Sequence, residues 1–149
     1  MSAETDLQDL LEAEIPLTRA LGLRVQRYDA AGLVLSAPLA PNVNHKRTVF
    51  GGSLYSVLVL AGWGWIALRL REAGIGAQIV IHAADIRYLL PVEGDFEAVC
   101  TPPPEEDYAS FLRILTRRGR ARLHLQARVS VAGREAVTFS GAYVVQARP

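Results

Sequence analysis

From residue 49 to residue 68 the chain runs for 20 residues without a charged side chain. A bilayer span needs ~20 apolar residues, so this segment must be solvated either by lipid or by the rest of the protein. Four glycines (Gly51, Gly52, Gly62, Gly64) interrupt it, and bases flank both ends, Lys46 and Arg47 before and Arg69 and Arg71 after, so no inside bias sets an orientation. It lies too deep for a signal peptide, and the first 14 residues hold five acids and no base. The expectation is a helix wrapped by a sheet, with no membrane span.

Enough chain exists to do the wrapping. The 149 residues fit one domain, 1–149, and 16 basic against 15 acidic side chains give a formal charge of +1, which excludes a strongly basic nucleic-acid binder. The single cysteine, Cys100, cannot form an internal disulfide and points to a reducing, cytoplasmic setting.

Residues 5–13 place Leu7, Leu10 and Leu11 at helical spacing, and residues 16–21 read as a second short turn. Two β-compatible runs, 23–29 and 33–39, flank Ala30-Ala31-Gly32 and predict a hairpin. An irregular polar loop, 40–53, delivers the chain to a helix from Gly52 to a stop at Gly74, ~33 Å long at ~22 residues. The period then changes to two over 77–90, and a further strand follows over 93–101. Pro102 to Pro104 and Glu105-Glu106-Asp107 read as a break before the last pair of strands. In that pair Ala121, Leu123, Leu125, Ala127, Val129 and Val131 alternate with polar residues, Ala132-Gly133 turns the chain, and 135–145 returns. The sum is α+β: a short N-terminal helix, one long apolar helix, and about six strands curled around it as an antiparallel sheet.

Gly62-Trp63-Gly64-Trp65-Ile66-Ala67 matches G-x-G-x-x-A, but two tryptophans crowd the turn where a pyrophosphate needs bare backbone, and no further βα alternation follows. There is no P-loop and no G-x-S-x-G, and His45, His82 and His124 lack metal-ligand spacing, so neither a metal nor a cofactor is expected.

The block Asn42-x-Asn44-His45-Lys46-Arg47-Thr48-Val49-Phe50-Gly51-Gly52-Ser53-Leu54-Tyr55, with Leu60-Ala61-Gly62-Trp63 behind it, resembles the hotdog-fold thioesterases. Closest is the family known as the C-terminal domain of some bacterial GNAT-type acetyltransferases. Ile86-x-Tyr88-x-x-Pro91-Val92 and Phe139-x-Gly141 extend the resemblance over most of the chain. It implies a hotdog fold, a homodimer or dimer of dimers with acyl-thioester sites between subunits, and acyl-CoA or acyl-ACP as substrate.

The residues are compatible with that chemistry. Two glycines at a helix start let a ligand approach the backbone, and the first helical N–H groups have no internal partner. The amides of Gly52 and Ser53 would hold a thioester carbonyl, or else Gly51-Gly52 is a tight turn and Ser53 a cap. Phe50, Gly51 and Tyr55 would line the substrate. Many acyl-CoA thioesterases of this fold carry a catalytic carboxylate on the central helix, yet residues 52–70 contain no Asp, Glu or His, and the first acid is Glu72. Asp85, read in phase with Ile79, Ile81, Ala83 and Leu89, is a candidate base, with pairing to Arg87 as the alternative. Asn44 is a candidate for positioning water or the carbonyl, His45 a candidate base or substrate contact, and Thr48 a loop hydrogen-bonder. Arg118 and Arg120, with Arg117, Arg122 and Arg128, would meet carrier phosphates or form a solvated strand face. Trp63 and Trp65 read as core. A non-catalytic acyl-thioester binding module and a hotdog hydratase or dehydratase are the competing functions.

Overall fold

The computed structural model describes residues 2–149. Helix α1 (Ala3–Glu14) starts at Ser2, whose hydroxyl oxygen accepts the Thr5 amide at 3.1 Å, and it buries Leu7 and Leu11. Gln8 is also buried: its side chain donates to the Leu23 carbonyl at 3.0 Å and accepts from the Val25 amide at 2.7 Å, tying α1 to the first strand. A short helix α2 (Leu17–Leu21) leads into the hairpin β1 (Arg24–Asp29) and β2 (Gly32–Ala37), as the turn residues predict. Then come the long helix α3 (Gly51–Glu72), β3 (Ala77–Tyr88), β4 (Phe96–Thr101), a helix α4 (Glu105–Arg118), β5 (Arg120–Val131) and β6 (Arg134–Ala147).

The six strands form one curved antiparallel sheet in the order β1-β2-β4-β5-β6-β3, with α3 on its inner face. This is the hotdog architecture expected. Among the described residues α3 is the one helix long and apolar enough to cross a membrane, and 67% of its most apolar window is buried inside the protein. Protein therefore takes the place that lipid would have. Gly62 and Gly64 are packing positions: a Cβ on Gly62 would sit 2.2 Å from the Tyr143 hydroxyl, and one on Gly64 would press on Leu33 and Leu7. The space left at Gly62 lets Tyr143 donate to the Val59 carbonyl at 2.7 Å. Trp65 is fully buried, and the Trp63 indole N–H donates to the Ile79 carbonyl at 3.0 Å, so both tryptophans belong to the packing.

The segment after the proline run, expected to break the chain before the last strand pair, folds as α4. Pro104 precedes the helix, Glu105, Glu106 and Asp107 fill its first turn, Arg117 and Arg118 its last, and Gly119 closes it at φ 74. Each of these complements a helix end. Phe111 and Leu115 face the core. Because β4 pairs with β5 only over residues 98–101, α4 packs beside the remaining length of β5.

A second difference lies in β3. A bulge between Ile81 and Ala83 leaves His82 without a partner across β6 and reverses the alternation. Ile79 and Ile81 pair with the buried Val145 and Tyr143, while downstream Ile86 and Tyr88 pair with the buried Phe139 and Val137. Ala83 and Asp85 are thereby turned to the outer face, opposite Ala142 and Ser140.

Candidate active site at the start of the central helix

The polar loop ahead of α3 is a closed device. Val43 and Val49 form an isolated antiparallel bridge, and Asn44 ties the turn between them. Its Oδ1 accepts from the amides of Lys46 (2.9 Å) and Thr48 (3.1 Å), and its Nδ2 donates to Thr48 Oγ1 (2.9 Å). Its backbone N–H donates to the Thr48 carbonyl (2.8 Å). Asn44 and Thr48 thus shape the loop, as Thr48 was expected to do, and one Nδ2 hydrogen of Asn44 remains for a ligand.

A second asparagine anchors this device to the body, and the sequence reading did not single it out. Asn42 is buried, and its Nδ2 donates to the carbonyls of Leu21 and Pro38, both at 2.8 Å. Its own carbonyl accepts the Phe50 amide at 2.7 Å, while Val49 donates to Val92 at 2.8 Å. The residue before the helix is therefore held from two sides.

Phe50 is the N-cap residue, without a side-chain cap. Its carbonyl accepts both the Ser53 amide (3.0 Å) and the Leu54 amide (3.1 Å), whereas the amides of Gly51 and Gly52 make no hydrogen bond with the described residues. The unpaired pair is thus Gly51 and Gly52; Ser53, expected to be a donor, is committed to Phe50. Ser53 is not the cap either, since it lies third in the helix. The Phe50 ring rests over Gly52, where a Cβ would come within 2.4 Å of it.

Two hydroxyls reinforce these peptides. Tyr88 donates to the Gly51 carbonyl at 2.9 Å, and Ser56 donates to the Gly52 carbonyl at 2.9 Å. The Gly51 carbonyl and the Gly52 N–H belong to one peptide group, so a proton held on the oxygen makes the N–H a stronger donor. Burial, helped by the neighbouring Tyr55, raises the pKa of Tyr88, which keeps it protonated and donating. Tyr55 itself packs edge-on against Phe139 at 6.0 Å. A cavity of about 270 Å³ opens here, lined by Thr48, Gly51, Leu54, Tyr88, Leu89 and Pro91.

The structure brings together Asn44, Thr48, Phe50, Gly51, Gly52, Tyr55 and Tyr88, with His45 exposed at the tip of the loop. Asp85 is not among them. Its side chain is 65% exposed on the outer sheet face and pairs with Arg87 at 3.3 Å, so the expected apolar surroundings are absent. Arg118 ends α4, not a strand, and Arg120 pairs with Gln146, which in turn pairs with Gln78. That row is ten residues along β3 from Tyr88, at the far end of the sheet from Gly51, so neither arginine reaches the helix start within one chain. Around the C-terminal half of α3, away from Gly51, a groove of about 850 Å³ is lined by Tyr28, Trp65, Arg69, Tyr108, Pro102 and Pro103, with Arg69 stacked between the Tyr108 and Trp65 rings. Glu72, the first acid after the uncharged run, accepts from Tyr28 at 3.0 Å and pairs with Arg69 at 3.4 Å, which occupies it structurally. Among the described residues no cluster of His, Cys, Asp or Glu is arranged to hold a metal.

Solved structures share this architecture. A protein of unknown function from Chlorobaculum tepidum superposes with a TM-score of 0.92 at 33% identity, over 97% of this chain and 94% of that one. A protein from Shewanella oneidensis described as "putative thioesterase" gives 0.86 at 29% identity, over 99% and 98% of the two chains. A Pseudomonas aeruginosa protein described as "Probable Thioesterase" gives 0.81 at 19% identity, over 97% and 95%, which speaks for the fold alone. Residues 4–147 match the protein family described as "Putative thioesterase (yiiD_Cterm)". With that match over nearly its whole length and a helix start built around unpaired glycine amides, the chain belongs to this hotdog thioesterase family.

Proposed function

We propose that the chain hydrolyses an acyl thioester carried on coenzyme A or acyl carrier protein, at a site formed around the N-terminus of α3. The observation that carries this reading is the pair of unpaired amides on Gly51 and Gly52, beside a cavity, in a member of a thioesterase family. At this end of α3 the helix dipole is positive, so the amides stabilise the oxyanion that develops when water attacks the thioester carbon. Tyr88 sharpens the Gly52 donor, and the free amide hydrogen of Asn44, with Thr48 and His45, orients the water. Phe50, Tyr55, Leu89 and Pro91 flank the acyl group.

The same reading includes a homodimer, which can associate further as a dimer of dimers in the cytoplasm. β3 is a 12-residue edge strand with nothing paired on its outer side, and Val80, Tyr88 and Leu89 on or beside it are large, apolar and exposed. Such an edge is normally covered, and a second β3 is a matching cover. Sedimentation as a monomer at micromolar concentration would contradict it.

The absence of an acid along α3 before Glu72 favours one competing function, an acyl-thioester binding module without turnover. Thiol release from acyl-CoAs of several chain lengths, measured on the wild type and on Asn44→Ala, separates the two. Turnover above the uncatalysed rate that falls in Asn44→Ala supports the hydrolase. Tight binding with no turnover supports the module.

A further inference from the structure

With Arg118 and Arg120 placed at the far end of the sheet, the unpaired basic side chains that the fold does bring to the helix start are Lys46 and Arg47, in the loop tip His45-Lys46-Arg47. All three are exposed, and neither Lys46 nor Arg47 has an acidic partner among the described residues. The tip is held rigid from beneath by the four hydrogen bonds that join Asn44 to Lys46 and Thr48. Arg47 adopts φ 66, a left-handed conformation that an L-residue holds at a cost and glycine holds freely. A turn selected only for its shape is better served by glycine there. The strain is consistent with a requirement for the side chain. Arg47 is four residues before Gly51, so chain reach alone keeps their Cα atoms within ~14 Å. The pantetheine arm that separates a thioester from its phosphates covers that span when extended.

Resting on the thioesterase reading above, we infer that Lys46 and Arg47 form the phosphate subsite for the thiol carrier, within one pantetheine arm of the amides that hold the thioester. Guanidinium and ammonium groups with no internal counter-ion bind a phosphate without first breaking an ion pair. The exposed tip is also open to both possible sources of phosphate, the nucleotide of coenzyme A and the single phosphodiester of a carrier protein's prosthetic arm.

The test uses Lys46→Ala, Arg47→Gly and the double variant. Arg47→Gly relieves the strained turn, so its effects cannot be ascribed to unfolding, and thermal melts of each variant check this. Binding of coenzyme A, 4′-phosphopantetheine and pantetheine is measured by calorimetry. Turnover is compared between an acyl-CoA and the N-acetylcysteamine thioester of the same acyl group. The double variant is expected to weaken coenzyme A binding about 10-fold or more and to lower the acyl-CoA to acyl-cysteamine ratio of kcat/KM by a similar factor, through KM. Weaker binding of coenzyme A alone assigns the tip to the nucleotide phosphates. Weaker binding of 4′-phosphopantetheine as well assigns it to the phosphate nearest the arm. Equal losses with pantetheine, an unchanged ratio, or no coenzyme A and 4′-phosphopantetheine binding by the wild type overturns the inference. If the wild type binds coenzyme A but turns over neither thioester, the hydrolase reading fails while the binding comparison still decides the subsite.

Discussion

Tyr88 donates its phenolic hydrogen to the carbonyl of Gly51 at 2.9 Å, and so reaches from the end of β3 to the first peptide of α3. The phenol acts on the far side of the peptide whose unpaired N–H is the proposed oxyanion donor. Cooperative strengthening of ~10–30% on a donor worth up to ~4 kcal/mol is about 0.4–1.2 kcal/mol, or about 2- to 8-fold in rate. Tyr88→Phe is therefore expected to lower kcat by about that factor with KM nearly unchanged. A change confined to KM would show that Tyr88 only shapes the pocket.

Asp85→Ala is expected to leave turnover within about 2-fold of wild type, because the carboxylate lies on the outer sheet face paired with Arg87. An exposed pair of this kind contributes at most ~1 kcal/mol to stability. A loss of turnover beyond 10-fold would return Asp85 to the chemistry.

Gly62→Ala is expected to destabilise the fold by about 2–3 kcal/mol, since the new methyl would collide with the Tyr143 ring and hydroxyl in a filled core. Gly76→Ala is the matched control: nothing lies within 4 Å of its Cβ position, and its effect should stay within about 0.5 kcal/mol. Urea denaturation of both variants measures the contrast.

Asn42→Ala removes both donors from the Leu21 and Pro38 carbonyls at once. Losses of about 2–4 kcal/mol are expected, because buried acceptors left unpaired cost ~1–3 kcal/mol each. Activity should fall with it even at temperatures where the variant stays folded, since Phe50 loses its anchored partner.

Stability should decline in alkali. Burial pushes the Cys100 thiol from its ordinary value of 9.0 up to about 12. Below about pH 9 the thiol is protonated in both states and contributes no pH dependence. Between about 9 and 12 the unfolded chain releases this proton and the folded one keeps it, so unfolding gains up to ~1.4 kcal/mol per pH unit from this group. The buried Tyr143 hydroxyl, also raised, adds to the decline at higher pH. The melting temperature should hold steady up to about pH 9 and then fall, and Cys100→Ala should make the fall shallower.

Much of this was legible in the residues. An uncharged helix demands a wrapping sheet, and the β5 alternation supplies it; the block from Asn42 to Tyr55 marks where the helix begins. Three things were not legible, each for a local reason. The proline run hid α4, although the acids after Pro104, the two arginines and Gly119 mark both helix ends. The hydrogen-bonding of Phe50 could not be foreseen, because which amides a cap carbonyl satisfies depends on how tightly the first turn closes. The face of Asp85 is not legible because the bulge between Ile81 and Ala83 breaks an alternation that the residue types alone do not show to be broken.

That broken alternation works like a gear tooth between the two ends of β3. The upstream half presents odd-numbered residues to the core and the downstream half even-numbered ones, so the extra residue at His82 is what delivers Tyr88 to Gly51. Deleting His82 would rotate one half of the strand relative to the other, turning either Ile79 and Ile81 away from the core or Ile86 away from the core and Tyr88 away from Gly51. Any change in length along β3 is thus read out at the helix start, and the spacing between the bulge and Tyr88 is as much a part of the site as the residues in it.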